Sequence, residues 1–528
     1  QGEMNDFVSS LRSQFETRYA PVQWKKELRD WSLDEEIALL QEKIDGGSLS
    51  VKQFQQEVAR FFHRLDDYHC SVLFFSTEAS SLPFLVKKVE GEYHITYIDE
   101  SKLDTKTFDI AVGDRLISFD GRAVDETVKE LIRVPDGASP LTEQSLAELT
   151  LTNRRGSKAH ICPKGPIRIT VEKQESGKRN SYELVWSYSP ELIQNPLVKM
   201  GPKGYVSPFD VASKNPQLKC NIDMKVAGFH PHSLGEKQTY LPPLGSIVWE
   251  SPYEGNFHAY IFLTPEGKKI GYLRIPHYMF DEKHIEELAP ILARFEQETE
   301  SLVIDQLNNT GGNIFFLYGL LSMLTDEPLK TPLHHMRLTQ GDVMLAYAML
   351  DALKAVSNND EAQMIWGPTF YGYPVNYQTV VLLRNYYQHM IDQWMAGKLF
   401  ADPIHVYAID TINPNPKVRY TKPLLVLINE LCFSGGDFFP GILQDNGRAT
   451  LMGVKTAGAG GYVTAQMPDN LVGINLYSLT ASLAIRQDGT PIENLGVSPE
   501  IYYELTKEDI LKGFKPFAEA ILKAVSEL

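Results

Sequence analysis

The sequence predicts an α/β protein of several domains, on three observations. From Lys269 onward, short apolar runs at 301–305, 424–429 and 449–454 alternate with helical stretches, the pattern of a sheet whose strands lie inside. Residues 4–65 carry helical periodicity instead, and residues 81–190 are rich in strand and turn signals. A chain of 528 residues also exceeds one ordinary core, so two to four structural units are expected.

Near the amino terminus Val8, Leu11, Phe15 and Tyr19 recur every three or four residues, and Phe54, Val58, Phe61 and Phe62 form a second stripe. Both are read as packing faces. A β-rich stretch follows at 70–75. In Ala111-Val-Gly-Asp-Arg-Leu-Ile-Ser-Phe-Asp-Gly-Arg-Ala-Val124, a Gly113-Asp114 turn, an alternating strand and an Asp120-Gly121 turn compose a hairpin. This resembles the middle of a PDZ domain, a module that adds an extended peptide to a sheet edge. No carboxylate-binding loop is evident before it, so a structural remnant is an equal reading. Residues 196–250 are rich in Pro, Gly, Lys and His and have little periodicity, as a loop, cover or processing segment would. The stretch 328–400 reads as a helical, amphipathic insertion on Val343, Tyr347, Leu350 and Leu353.

Hydrophobic residues at 43% and charged residues at 22% describe a globular chain. The net charge of −16 argues against a nucleic-acid partner. No apolar run reaches the roughly 20 residues that span a bilayer, so no membrane span is expected. Cys70, Cys162, Cys220 and Cys432 lack metal-ligand spacing and read as small hydrophobes, with a Cys162–Cys220 disulfide as the alternative. His334-His335 and His230-Pro-His232 read as loop or surface residues, and neither metal nor cofactor is expected.

The strongest chemical signal is Phe433-Ser-Gly-Gly-Asp437, directly after the apolar run that ends in Asn429-Glu430. A strand that breaks at a serine and two glycines before a helix lifts a hydroxyl to the rim of a sheet. It also aims backbone N–H groups at whatever the hydroxyl attacks. Plain turn chemistry uses the same residues. Serine is a poor nucleophile without a base, and Asp67-Tyr-His69 offers one; alternatively His69 caps a helix or fills a core. Leu307-Asn-Asn-Thr-Gly-Gly312 can supply oxyanion donors or serve as a simple strand-to-helix loop. Glu493, shortly after an Asp488-Gly489 turn, can accept a histidine N–H or sit on the surface of a strand.

In order, Asp-x-His, Leu-x-Asn-Asn-x-Gly-Gly, Asn-Glu-x-x-x-Ser-Gly-Gly, Gly-x-x-Thr-x-Gly-x-Gly and Gly-Val-x-Pro resemble the S41 (tail-specific, C-terminal processing) serine peptidases. In the Ser-Lys members the residue between the last two glycines is the general-base lysine; here it is Ala459. The tricorn and chlamydial protease-like activity factor branches use Ser/His/Glu instead. The resemblance is closest to the latter branch, through Phe74 to Glu78, Asn429 to Pro440, Thr456-Ala-Gly-Ala-Gly-Gly461 and Ile492 to Val497.

Carried over residue by residue, the resemblance implies Ser434 as nucleophile, His69 as base and Glu493 as orienting acid, with Gly435 and Gly312 as the oxyanion hole. It implies a crotonase-like (ClpP/crotonase-type) peptidase core at 256–528, an N-terminal helical region at 1–80, a PDZ-like domain at 81–195 and a linker or cover at 196–255. It further implies a polypeptide substrate, self-processing within 196–250, a homodimer, and an extracytoplasmic or secreted bacterial setting. The rival readings are a carrier of lipophilic ligands on the same core and a PDZ scaffold on a decayed peptidase. Strand 462–467 reads equally as a strand that pairs with substrate or as an ordinary core strand, and Phe433, Phe438, Phe439 and Tyr462 would line an apolar pocket.

Overall fold

The computed structural model describes residues 1–47, 49–104, 106–192 and 233–528. They divide into two compact units. The first takes the described parts of 1–12, 32–229 and 464–479, and the second takes 13–31, 230–463 and 480–528. Cys220 and His230-Pro-His232 lie outside the described residues, as does 196–232 of the stretch read as a cover.

Both N-terminal helical stripes are buried, as amphipathic periodicity requires; Val8, Leu11 and the second stripe belong to the first unit, and Phe15 and Tyr19 to the second. Helix Val51–Arg64 starts with a capping box on Ser50 and Gln53 and ends just before the loop that carries His69. Strand Ser71–Phe74 leaves that loop and pairs antiparallel with strand Ile474–Thr480, with Ser71 opposite Ser478. Strand Val463–Gln466 forms the other edge of this three-stranded sheet. The hairpin predicted at 111–124 is present. Strand Arg115–Phe119 turns through Asp120 and Gly121, both at positive φ (52° and 77°), and returns with Phe119 opposite Arg122. It belongs to an antiparallel sheet with strands Phe84–Val89, Glu92–Ile98, Pro166–Glu172 and Arg179–Val185. Helices Val124–Leu131 and Pro140–Thr152 cover the core formed by Leu116, Ile169, Val128 and Leu151.

The second unit is built on a seven-stranded sheet, in the order Ser246–Glu250, Ala259–Leu263, Lys269–Arg274, Ser301–Asp305, Leu424–Ile428, Thr450–Gly453 and Ile501–Tyr502. The first two pairings are antiparallel and the remaining four parallel. Strands buried on both faces should be apolar throughout, and Leu424–Ile428 is. Its Leu424, Val426 and Ile428 face helices Glu282–Glu298, Ile314–Ser322 and Gly435–Asp445, whereas Leu425 and Leu427 face helix Lys515–Ser526. Strand Ser246–Glu250 falls in a region without sequence periodicity, and it makes one edge of this sheet.

The insertion departs from its expected form at the start. Residues Leu329–Lys330 and Leu333–Met336 are strands, the latter pairing with Ser482–Ile485, and the first helix begins only at Gln340. Val343 and Leu353 are buried as expected, but Tyr347 faces outward.

Candidate active site

Parallel strands point their carboxyl ends at one rim, and the loops there carry the predicted chemistry. Strand Leu424–Ile428 leads through Asn429 and Cys432 to Ser434, whose φ of 55° and ψ of −113° make it a strained non-glycine residue. Ser434 immediately precedes helix Gly435–Asp445, and its carbonyl accepts the N–H groups of Asp437 and Phe438 at 2.7 and 2.9 Å. The side chain itself makes no capping bond and is half-buried. The loop is pinned by its neighbour strand: the Phe433 N–H donates to the Asn309 carbonyl at 2.9 Å.

That neighbour is the Asn-Asn-Thr-Gly-Gly loop. Asn309 accepts the Gly311 N–H at 2.8 Å and donates to the Ile275 carbonyl at 2.8 Å, while Asn308 and Asn429 exchange hydrogen bonds. Gly311, at φ 80°, lies so close to the elbow that a Cβ there would sit 2.7 Å from the Ser434 Cβ. The Gly311 carbonyl and the Asn313 N–H are both bonded to Tyr278, which turns the Gly312 N–H the other way. The position a Cβ on Gly435 would take is 3.2 Å from the Gly312 nitrogen. Among the described residues, neither the Gly312 nor the Gly435 N–H donates a hydrogen bond. Two unengaged donors beside a serine on a strained turn are the geometry that holds an oxyanion. A third link ties the loops: the Tyr278 hydroxyl donates to Gln306, and the Gln306 amide donates to the Gly436 carbonyl at 2.9 Å.

Glu493 is wholly buried, so the surface-strand alternative is set aside. Its Oε2 accepts the Gly460 N–H at 3.0 Å, and its Oε1 accepts from the Lys25 ammonium at 2.5 Å. Gly458 and Gly460 let the glycine loop approach the 492–496 segment: a Cβ on Gly460 would sit 2.6 Å from the Glu493 nitrogen. Ala459 is buried, and its N–H donates to Asp437 at 3.0 Å. Asp437 also accepts from the Thr456 hydroxyl and the Gly458 N–H, at 2.6 and 2.8 Å. Burial pushes its carboxyl up to about 7 against the pull of those donors. Lys25 and Asp437 are the two groups that sequence reasoning missed.

His69 belongs to the first unit, in the loop between helix Val51–Arg64 and strand Ser71–Phe74. It is buried there: its N–H donates to the Asp67 carboxylate at 2.9 Å, and its carbonyl accepts the Ser478 hydroxyl at 2.6 Å. The helix-cap alternative is therefore not what its backbone does.

Two expectations are corrected. Phe433, Phe438 and Phe439 are core residues, not the walls of a pocket; of that set Tyr462 is the exposed one. His334 is no surface residue: its ring stacks on Phe438 with centroids 5.7 Å apart, and burial pushes it down to about 3, so it is neutral. Cys432 could look like a rival nucleophile, but burial pushes its thiol up to about 12. Cys70, Cys162 and Cys432 are all buried. Among the described residues no group of three or more His, Cys, Asp or Glu side chains could hold a metal, and no helix is long and apolar enough to cross a membrane.

The profile of peptidase family S41 matches residues 269–503, and a PDZ-domain profile matches 78–197. The crystal structure of mature CPAF aligns with a TM-score of 0.87 and 34% identity, over 100% of this chain and 97% of that one. The chain belongs to peptidase family S41. It is a serine-type peptidase, a hydrolase similar to CPAF, and its architecture is a mixed α/β one with a PDZ domain and an S41 domain. An uncharacterized protein of Chlamydia muridarum is 35% identical over 99% of this chain and 92% of its own length. A protein of Chlamydia trachomatis serovar D is 34% identical over the same shares.

Proposed function

We propose that this S41 peptidase cleaves polypeptides through an acyl-enzyme on Ser434, with His69 as general base and Glu493 as orienting acid. The observation that carries the reading is the strained backbone of Ser434 beside the unengaged N–H groups of Gly435 and Gly312. His69 removes the Ser434 proton as Oγ attacks the scissile carbonyl, and returns it to the leaving amine when the C–N bond breaks. Water then attacks the ester by the same route in reverse. Glu493 stays ionised and stabilises the imidazolium. The developing oxyanion rests on Gly435 and Gly312, each donor being worth about 3–4 kcal/mol in such sites.

The parallel strands with helices on both faces support a crotonase-like core over 256–528, after an N-terminal region to 80, a PDZ-like domain to 195 and a linker or cover to 255 whose strand Ser246–Glu250 joins the edge of the core sheet. Edge strand Val463–Gln466 suits pairing with an extended substrate. Similarity to CPAF further supports self-processing within 196–250, a homodimer and a secreted setting. Mature CPAF has been solved complexed with lactacystin, and the same compound is expected to bind here. Hydrolysis of fluorescein-labelled casein tests the proposal. Wild-type chain is expected to cleave it, and folded Ser434→Ala to be slower by about 10⁶-fold; retained cleavage in that variant would remove Ser434 from its role.

A further inference from the structure

Lys25 lies where a cation is costly. Its side chain and that of Glu493 are both 0% exposed, and its Nζ donates to Glu493 Oε1 at 2.5 Å and to Asn494 Oδ1 at 2.6 Å. The adjacent Trp24 indole N–H donates to the same Asn494 oxygen at 3.2 Å. Helix Val22–Arg29 thereby grips the Glu493-Asn494 segment from 468 positions away, while Gly460 holds the other carboxylate oxygen. Packing alone would not choose this arrangement. The helix leaves Leu28 exposed and buries a lysine, the reverse of what apolar burial favours.

An unpaired carboxylate in a dry interior takes up a proton rather than stay charged. A protonated Glu493 could not stabilise an imidazolium.

We propose that Lys25 is a positioning residue of the peptidase. It keeps Glu493 ionised and fixes Oε1, so that the carboxylate holds one orientation. Residues 13–31, which belong to the same compact unit as Ser434, are then part of the working enzyme. The inference rests on the reading of Glu493 as orienting acid.

The test uses the full chain and fluorescein-labelled casein, with folding followed by circular dichroism. Lys25→Met is expected to lower kcat at least tenfold with KM within twofold. Adding Glu493→Gln to it should cost nothing further, because the two groups act as one unit. If Lys25→Met does not fold, Lys25→Gln, which keeps a donor without the charge, is read in the same way. A folded Lys25 variant with kcat within twofold of wild type, beside a slow Glu493→Gln, would overturn the role of Lys25 alone. So would losses that multiply in the double variant. Glu493→Gln at wild-type kcat would instead overturn the reading of Glu493, and this proposal with it.

Discussion

Asp437 accepts a 2.6 Å hydrogen bond from the Thr456 hydroxyl, and that hydroxyl accepts the Val497 N–H at 2.8 Å. One buried carboxylate thus joins the nucleophile helix, the glycine loop and the Gly-Val segment that follows Glu493. Its charge state should be visible in stability. Burial raises the carboxyl from 3.8 to about 7, so between those values the native chain holds a proton that the unfolded chain has released. Stability contributed this way is complete at low pH and is lost as pH rises through about 7, by at most about 1.4 kcal/mol per pH unit. Urea unfolding of Asp437→Asn between pH 5 and 7 should have a flatter pH dependence than wild type. An unchanged slope would exclude the effect.

Strain at the nucleophile makes a second prediction. In ordinary backbone, replacing Ala by Gly costs stability, roughly 0.5–1 kcal/mol. At φ 55° the sign should reverse, since only glycine adopts that conformation freely. Ser434→Gly is therefore expected to be about 1 kcal/mol more stable than Ser434→Ala in denaturant unfolding, with both variants inactive. Equal or lower stability of the glycine variant would argue that the elbow is unstrained.

The buried pair of Arg274 and Asp305 supports the same rim from below. Their charged atoms are 3.0 Å apart, both side chains are buried, and the Tyr272 hydroxyl donates to the other Asp305 oxygen at 2.6 Å. Arg274→Met leaves that carboxylate without its cation, at a cost of about 3–5 kcal/mol. Denaturant unfolding measures this directly, and a change under 1 kcal/mol would contradict it.

Local signals in the sequence carried much of this. The Asp120-Gly121 turn needs two positive φ angles, which those residues tolerate, and the all-apolar run 424–428 has no place but an interior strand. The serine and glycines of the elbow were legible because few other residues allow that backbone. What stayed hidden depends on partners far along the chain. Lys25 sits in an eight-residue helix beside exposed Lys26, and nothing local distinguishes the two. Asp437 looks like an ordinary acid in the first turn of a helix, whereas its partners come from 456–459. His334 reads as a surface residue because both strands that flank its own, Ile404–His405 and Ser482–Ile485, come from far along the chain. The aromatic run at 438–439 reads as pocket wall in the sequence, and its burial makes it core.

The measurement that bears most directly on the central claim is labelling by a biotin-tagged fluorophosphonate, with the adduct mapped by mass spectrometry. The account predicts a single adduct on Ser434 of the wild-type chain. Labelling should slow by about 10²–10⁴-fold in folded His69→Gln, since the hydroxyl then lacks its base. An adduct on a different serine, or a His69→Gln variant labelled at the wild-type rate, would contradict it.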